Sequence, residues 1–452
     1  MNRIWHALKA QPAIQRIKDR SQIDQQYSHW RVRSLYASFI GYAVYYFCRK
    51  NLSAATPGLI SELGLSKTAI GSIWSIHYLV YGVTKFSNGV LADRANARYF
   101  IAIGIIASAL TNILFGLNAS LIALGATWAL NGYFQSMGAP ASVRLLCHWY
   151  SPNELGTKWG LWNISHQVGG GIILILAGWL TQVYGWRSAF FVPAAIGIAC
   201  GLFLINRLRD TPESLGLPPI EEYRNDHSVE HSHDVKENAD WKEILINGVL
   251  KNKQIWLLSI ANFFVYLVRY GAMDWAPTFL VEVKKSTVAS AAVKTALFEF
   301  LGIAGSLFAG YISDKYFTGR RYLINVFYMF VLIFAVWGFW FVPPGYPMVD
   351  AALLGAVGFL VYGPQLLVGV CTADVSGKVS AATANGMNGL FGYLGSIVSG
   401  IGTGWVVEHY GWGGGFALFI GSAVIGTLLF LFTGGNQKLS IESKPLAAAS
   451  TS

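Results

Sequence analysis

Long apolar stretches, separated by short polar connections, make up most of this chain. Windows of about 19 residues select segments long enough to cross about 30 Å of hydrocarbon as a helix. We predict twelve such spans, at 34–57, 70–91, 98–117, 121–148, 157–180, 186–206, 255–281, 289–312, 321–342, 348–373, 380–404 and 412–434. The pattern therefore predicts an all-α membrane protein.

One long polar interruption divides the spans into two groups of six. The predicted order is a basic cytoplasmic leader, a six-helix bundle, a cytoplasmic linker, a second six-helix bundle and a cytoplasmic tail, over 1–33, 34–206, 207–254, 255–434 and 435–452. The linker carries His227, His231 and His233, a combination that can bind a metal. Without cysteines or a rigid scaffold around them, we favour a solvated linker and expect no metal site.

The two bundles carry the same sequence markers in the same places. The hairpin after the second span contains Asp93-Arg94, and the hairpin after the eighth contains Asp314-Lys315, each four residues after a glycine. The tripeptide Tyr-Gly-Trp occurs at 184–186 and again at 410–412. These matches predict an internal repeat, and parallel repeats place a substrate site near the bilayer midplane between the halves.

Charge follows the predicted topology. Lys and Arg concentrate in the leader and in the even-numbered connections, which predicts that both termini are cytoplasmic. The composition, 54% hydrophobic and 12% charged, excludes a soluble domain of this length. No basic patch with interleaved aromatic residues on a soluble domain supports nucleic-acid binding, so the net charge of +10 is attributed to topology.

Two arginines lie inside apolar stretches, Arg49 in the first span and Arg269 in the seventh. A guanidinium at membrane depth costs from about 2.5 to more than 10 kcal/mol, so it is kept there with an anionic partner or a watery cavity. One arginine from each half predicts a central clamp for a phosphomonoester, which the planar guanidinium fork binds well. Two alternatives stay open: Arg49 snorkels beside Lys50, or Arg269 forms a buried pair with Asp274 or Glu299.

Several motifs resemble the organophosphate:phosphate antiporters of the major facilitator superfamily. The repeated Gly-x-x-x-Asp-Arg/Lys hairpin is similar to the superfamily signature. The narrower resemblance rests on the runs at 41–51, 81–86, 162–171, 210–219, 266–270 and 363–365. The leader around Tyr27, Trp30 and Arg31 is most similar to the hexose-phosphate sensor-like branch, with the glycerol-3-phosphate branch next. The resemblance implies the major facilitator fold, with twelve helices in two bundles.

The resemblance also implies roles for particular residues. The matching arginines bind the phosphate group in that family, and His166, beside Asn163, corresponds to a substrate-site histidine. The matching tyrosines line the family's pore, here Tyr42, Tyr46, Tyr81, Tyr266, Tyr362 and Tyr393. From the residues alone, the histidine is equally a helix-to-helix hydrogen-bond partner, and the tyrosines are equally packing residues.

The remaining polar residues of the spans have more than one interpretation. Lys85 is predicted either to relay the anion or to snorkel to the interface. Asn385 and Asn388 are predicted to select the organic part of the substrate. Asp93, Arg94, Asp314 and Lys315 are predicted to latch one conformation, against the alternative of ordinary hairpin charge. Asp274 and Glu299 orient Arg269, or carry protons if transport is proton-coupled.

No nucleophile elbow, phosphate-binding loop or metal-ligand motif is present in the sequence, so we predict a carrier without a cofactor, not an enzyme. The leading hypothesis is a monomeric antiporter of the bacterial inner membrane that exchanges external hexose 6-phosphate for internal inorganic phosphate. The alternatives are a receptor for external glucose 6-phosphate with a sensor-kinase partner, a glycerol-3-phosphate:phosphate antiporter, and a proton-coupled organic-anion symporter.

Overall fold

The computed structural model describes residues 8–226, 244–317 and 320–442, and these are helical almost throughout. We number fourteen α-helices among the described residues: α1 Arg20–Leu63, α2 Lys67–Arg94, α3 Ala97–Leu117, α4 Leu121–Gln135, α5 Gly138–Trp149, α6 Pro152–Asn163, α7 Ser165–Tyr184, α8 Ser188–Arg207, α9 Ile220–Arg224, α10 Lys253–Glu282, α11 Val288–Tyr316, α12 Tyr322–Phe341, α13 Pro347–Ile397 and α14 Thr403–Glu442. A 3₁₀ turn at Glu213–Leu215 and π-helical turns at Ile244–Leu250 and Val398–Gly402 complete the elements.

Eight stretches of the described residues are long and apolar enough to cross a membrane. The longest, Thr383–Gly434, has 52 residues and covers the twelfth predicted span and nearly all of the eleventh. The other predicted crossings fall on α1, α2 and the broken pair α4–α5. Polar and charged side chains, among them the buried Arg49, Lys50 and Asn51, lower the apolar character of α1.

The helix α13 is a helical hairpin that carries the tenth and eleventh spans. Asn388 Nδ2 donates to Thr372 Oγ1 at 2.6 Å, although the two residues are sixteen positions apart. In a straight helix they would be separated by about 24 Å. The chain therefore reverses direction between them, as the predicted spans require.

The repeated Tyr-Gly-Trp tripeptide has the same local structure in both halves. Gly185 has φ 82° and Gly411 has φ 67°, a region that favours glycine because it has no Cβ. At each site the chain turns between two crossings and directs the following tryptophan inward. Trp186 is buried near Phe190, and Trp412 packs against Phe279.

The two halves meet along two seams of small residues. In the first, α2 crosses the π-helical turn at Val398–Gly402 so closely that a Cβ at Gly71 would lie 2.4 Å from the carbonyl oxygen of Gly400. In the second, α7 packs against α11, and a Cβ at Gly178 would lie 2.2 Å from that of Ala292. Both seams are therefore tight near the connection between α1 and α2.

The halves are less connected toward the opposite end of the molecule. Among the described residues, hydrogen bonds join Lys50, Thr68, Ser75 and Gln182 to the C-terminal half, but none joins that half to α6 or to the last turns of α2. That end carries the leader, because Ala10 N donates to the carbonyl oxygen of Arg94 at 3.1 Å. The halves are thus closed at one end and separated at the end where the leader lies.

The prediction of a solvated linker is wrong for residues 207–226. Leu217 and Ile220 are buried, and Tyr27 of the leader stacks on Tyr223 at 4.0 Å between ring centroids. Asp210 accepts hydrogen bonds from Gln11 N, Ala97 N and Arg144 Nη1, at 2.9, 2.9 and 2.6 Å. Leader and linker therefore fold together on the N-terminal half. The three linker histidines, His227, His231 and His233, lie outside the described residues.

Candidate functional site

A layer of tyrosines lies between the two halves and surrounds both predicted arginines. Arg49 comes from α1 and Arg269 from α10, and each is more than nine-tenths buried. Two tyrosines connect them, since the Tyr78 and Tyr270 ring centroids lie 4.8 Å apart. Arg49 Cζ lies 5.8 Å from the first ring, and Arg269 Cζ lies 4.7 Å from the second. The structure thus brings the two arginines to one cluster.

Arg49 is a buried cation without an anionic partner among the described residues. Its Nε and Nη2 atoms have no hydrogen-bond partner there. The ring of Tyr81 lies 4.5 Å from Cζ, and that of Tyr46 lies 5.4 Å away. Tyrosine faces attract a cation only by about 0.5–2 kcal/mol each, so the guanidinium retains unused capacity for an anion.

Arg269 has only neutral hydrogen-bond partners. Its Nη2 donates to the Tyr362 hydroxyl at 2.9 Å, and that hydroxyl donates to Glu299 Oε2 at 2.5 Å. Nε of Arg269 and Oε1 of Glu299 have no partner within the described chain. The carboxylate therefore reaches the guanidinium through a phenol, and part of each charged group is left for another ligand.

Lys50 is the cation that pairs with Asp274. Lys50 Nζ lies 2.9 Å from Asp274 Oδ1, and both side chains are buried. The Tyr78 hydroxyl donates to the other oxygen of this carboxylate. Asp274 is therefore the partner of Lys50 and not of Arg269, and Arg49 does not snorkel beside Lys50.

His166 lies where the helical path through the fifth span is broken. The break falls between α6 and α7, and His166 Nδ1 forms a hydrogen bond with the carbonyl oxygen of Asn163. The imidazole centroid is 5.4 Å from that of Tyr46 in the N-terminal half and 6.3 Å from that of Tyr362 in the C-terminal half. The predicted histidine thus lies between the two halves.

The predicted tyrosines all lie in or beside this layer. Tyr42 packs against Trp162 at 4.6 Å and against Tyr46 at 5.7 Å. Tyr393 contacts Tyr81 at 5.3 Å and Tyr266 at 6.4 Å, which joins the two halves along the first seam.

Lys85 and Asn385 lie at the edge of the layer. They line a crevice of about 360 Å³ between α2 and α13. Lys85 Nζ is 5.6 Å from the ring centroid of Tyr393. Its position is compatible with both interpretations of the sequence, an anion relay and an interfacial lysine.

Asn388 is engaged in holding helices together. Its Oδ1 accepts from Ser259 Oγ at 2.7 Å, and its Nδ2 donates to Thr372. The predicted contact with the organic part of a substrate would require these bonds to break, and it stays a prediction for Asn388.

The predicted gating residues lie at the separated end. Asp93 and Arg94 are exposed at the end of α2. Asp314 accepts a hydrogen bond from Arg321, whose Nε donates to Asp374 of α13 at 3.0 Å. Lys315 donates to Tyr311 in its own helix at 2.8 Å. These contacts link α11 and α13 through the residue before α12, within the C-terminal half, and gating remains a prediction.

Sequence reasoning missed Lys50, Tyr78 and Tyr270. The signal for Lys50 was present, because it is also a cation in the middle of the first apolar span. The two tyrosines carried no such signal, since their rotation toward the arginines depends on how the helices pack.

The sequence of this chain is similar to those of known membrane proteins. A family model described as Major Facilitator Superfamily matches residues 38–400. A probable hexose phosphate transport protein of Chlamydia pneumoniae is 42% identical over 95% of this chain and 97% of its own length. The glycerol-3-phosphate transporter of Bacillus subtilis (strain 168) is 40% identical over 95% and 98%. The membrane sensor protein UhpC of Salmonella typhimurium is 39% identical over 94% and 96%.

The fold has a counterpart among solved structures. A bacterial homologue of the human lysosomal transporter Spinster, in an inward-facing and occupied conformation, superposes with a TM-score of 0.72 over 92% of this chain and 97% of its own. At 16% identity, this likeness concerns the fold alone. The predicted twelve-helix, two-bundle fold is thereby confirmed.

Proposed function

We propose that this chain exchanges an external sugar phosphate for internal inorganic phosphate, because it belongs to the Major Facilitator Superfamily and to its organophosphate:phosphate antiporter branch. The preferred organic substrate is a hexose 6-phosphate, in keeping with the relative that is named a hexose phosphate transport protein. The protein works as a monomer in the bacterial inner membrane, with both termini in the cytoplasm.

The observation that carries this proposal is the unsatisfied guanidinium of Arg49 facing a cluster that also contains Arg269. Two buried arginines with free N–H groups favour a dianion over a neutral sugar or a cation. One phosphoryl group bound to both arginines would neutralise two charges that are otherwise costly at membrane depth. Inorganic phosphate and a sugar phosphate share that group, so one site serves both.

The two arginines also give a reason for coupling binding to conformational change. They come from different halves, so an anion bound to both has its greatest affinity when the halves approach each other. A ligand shifts an equilibrium by its difference in affinity between the two states. With the leader in the cytoplasm, the described arrangement is open inward, and phosphate or sugar phosphate would enter from that side.

A receptor on the same scaffold is the second candidate, favoured by the likeness to a membrane sensor protein. Such a protein would bind external glucose 6-phosphate and signal to a sensor kinase. Its site would need the same arginines. Proton-coupled symport has less support, because Asp274 is paired with Lys50 and Glu299 accepts from Tyr362.

Reconstitution separates these functions. The purified protein is placed in liposomes loaded with phosphate, and uptake of labelled glucose 6-phosphate is measured with and without the internal phosphate. We expect saturable uptake that requires internal phosphate and survives an uncoupler. Binding without uptake would identify a receptor, and uptake that is abolished by the uncoupler without any need for phosphate would identify a symporter. Competition by glycerol 3-phosphate ranks the two organophosphates.

A further inference from the structure

A groove lies on the N-terminal half, between the start of α1 and α6, at the end that carries the leader. Its volume is about 530 Å³. All its lining residues belong to the leader, the N-terminal half and the start of the linker, and none belongs to the tyrosine layer. It is therefore separate from the tyrosine layer, which lies between the halves.

One end of the groove has an excess of positive charge. Glu154 pairs with two arginines at once, Arg31 and Arg224, the latter at 2.6 Å. Lys158, one turn further along α6, has no ion pair with any described residue, and its amine lies 5.7 Å from the ring centroid of Tyr150. Two arginines thus share one carboxylate beside the unpaired Lys158, and Arg31 Nε is buried without a hydrogen-bond partner in the described chain.

An apolar, uncovered surface leads away from the basic end of the groove. Val32, Ile40 and Leu161 line it and are 62%, 42% and 48% exposed. Ile40 and Leu161 fall inside the first and fifth spans, and Val32 lies two residues before the first. Val32 lies next to Arg31, at the basic end. Ile40 lies eight residues further along α1, about 12 Å deeper, and Leu161 lies three residues after Lys158 on α6. In a membrane these apolar side chains lead from the headgroup level into the acyl region.

We propose that this groove binds an anionic glycerophospholipid. The lipid phosphate lies at Lys158, with Arg31 and Arg224 behind it, and one acyl chain lies along Val32, Ile40 and Leu161. A basic pocket that continues into an apolar surface at the interface matches both parts of such a molecule. A free anion would use only the basic end.

Native mass spectrometry of the full-length protein tests this with phosphatidylglycerol and phosphatidylcholine of identical chains. The protein should retain phosphatidylglycerol in preference. Lys158→Gln should reduce phosphatidylglycerol binding about five-fold, the effect of one lysine near an anionic surface. The control is Lys253→Gln, an exposed lysine at the start of α10 in the other half, which should leave binding unchanged.

Equal retention of the two lipids would overturn the proposal, as would a Lys158→Gln protein that binds like the parent. If Lys158→Gln fails to fold, Val32→Trp serves instead, because it fills the groove from an exposed position, and it should also weaken binding. Displacement of the lipid by excess inorganic phosphate would show an anion site without a lipid component, which also contradicts the proposal.

Discussion

Lys50 donates to Asp274 across the interface between the halves, one residue after the unpaired Arg49. An acid of the opposite half is therefore used by the neighbouring lysine. Ser53 Oγ reinforces this contact by bonding the carbonyl oxygen of Asp274 at 3.1 Å. The pair thus holds α1 against α10 and at the same time leaves Arg49 free for a ligand.

Asp274→Asn should lower thermal stability strongly. Removing one partner of a buried ion pair leaves an uncompensated charge and costs about 3–5 kcal/mol. We expect a clear drop in the unfolding temperature of the detergent-purified protein. Glu62→Gln is the matched control, because it breaks the exposed pair with Arg187 and should change little. The double change Lys50→Met with Asp274→Leu should be more stable than Asp274→Asn, and the opposite order would contradict this explanation.

Tyr362→Phe should weaken substrate binding more than it slows maximal exchange. The change removes the phenol between Arg269 and Glu299, so the arginine is drawn to the carboxylate and away from a ligand. A hydrogen bond to a charged group contributes about 1.5–3 kcal/mol, which corresponds to a ten-fold or larger rise in the half-saturating concentration. Tyr328→Phe, whose hydroxyl donates only to Gly305 at 3.4 Å, is the control. Equal effects of the two substitutions would show that the phenol between Arg269 and Glu299 has no special role.

Gly178→Val should block exchange while preserving substrate binding. The added side chain would clash with Ala292 and prevent the close approach of α7 and α11. The protein would then remain open at the end near the connection between α1 and α2. Gly125→Val adds the same atoms where a Cβ meets nothing within 4 Å, and it should exchange normally. Normal exchange by Gly178→Val would mean that this seam does not need to close.

Acid should weaken the contact between Thr68 and Glu408. The backbone N–H and hydroxyl of Thr68 donate to Glu408 Oε2 at 2.9 and 2.5 Å, and these bonds lower the pKa of the carboxyl group. Since the pKa is lowered in the closed arrangement, the contact is fully present above the ordinary glutamate value. It is lost as the pH falls through the lowered value.

Spin labels at Leu65→Cys and Tyr410→Cys measure this opening, with the exposed Cys147 replaced. The distance between the labels should increase in acid, and Glu408→Gln should abolish that dependence. A pH response that persists in Glu408→Gln would assign it to another group.

The family, the fold and the two arginines were predictable because each follows from strong, local signals. Charges in apolar spans are costly, and the repeated motifs are contiguous in sequence. The family resemblance is confirmed by the similarity to known transporters along nearly the whole chain. The choice of partner for each buried charge was not predictable, because Lys50, Asp274 and Glu299 lie on helices whose relative rotation is set by packing.

The packing of the leader and linker on the N-terminal half was also not predictable from the sequence. Their composition is polar, which is typical of a solvated segment, yet Asp210 collects hydrogen bonds from the leader, α3 and α5. These partners lie 66 to 199 positions away in sequence. Local composition contains no information about such contacts.

Exchange by Arg49→Lys and Arg269→Lys tests the central claim most directly. Lysine keeps the charge and loses the bidentate fork, so both variants should lose most glucose 6-phosphate/phosphate exchange in phosphate-loaded liposomes while remaining folded. Arg187→Lys, in an exposed pair just before α8, is the control and should exchange normally. Near-normal exchange by either Arg49→Lys or Arg269→Lys would contradict a phosphate site shared by the two arginines.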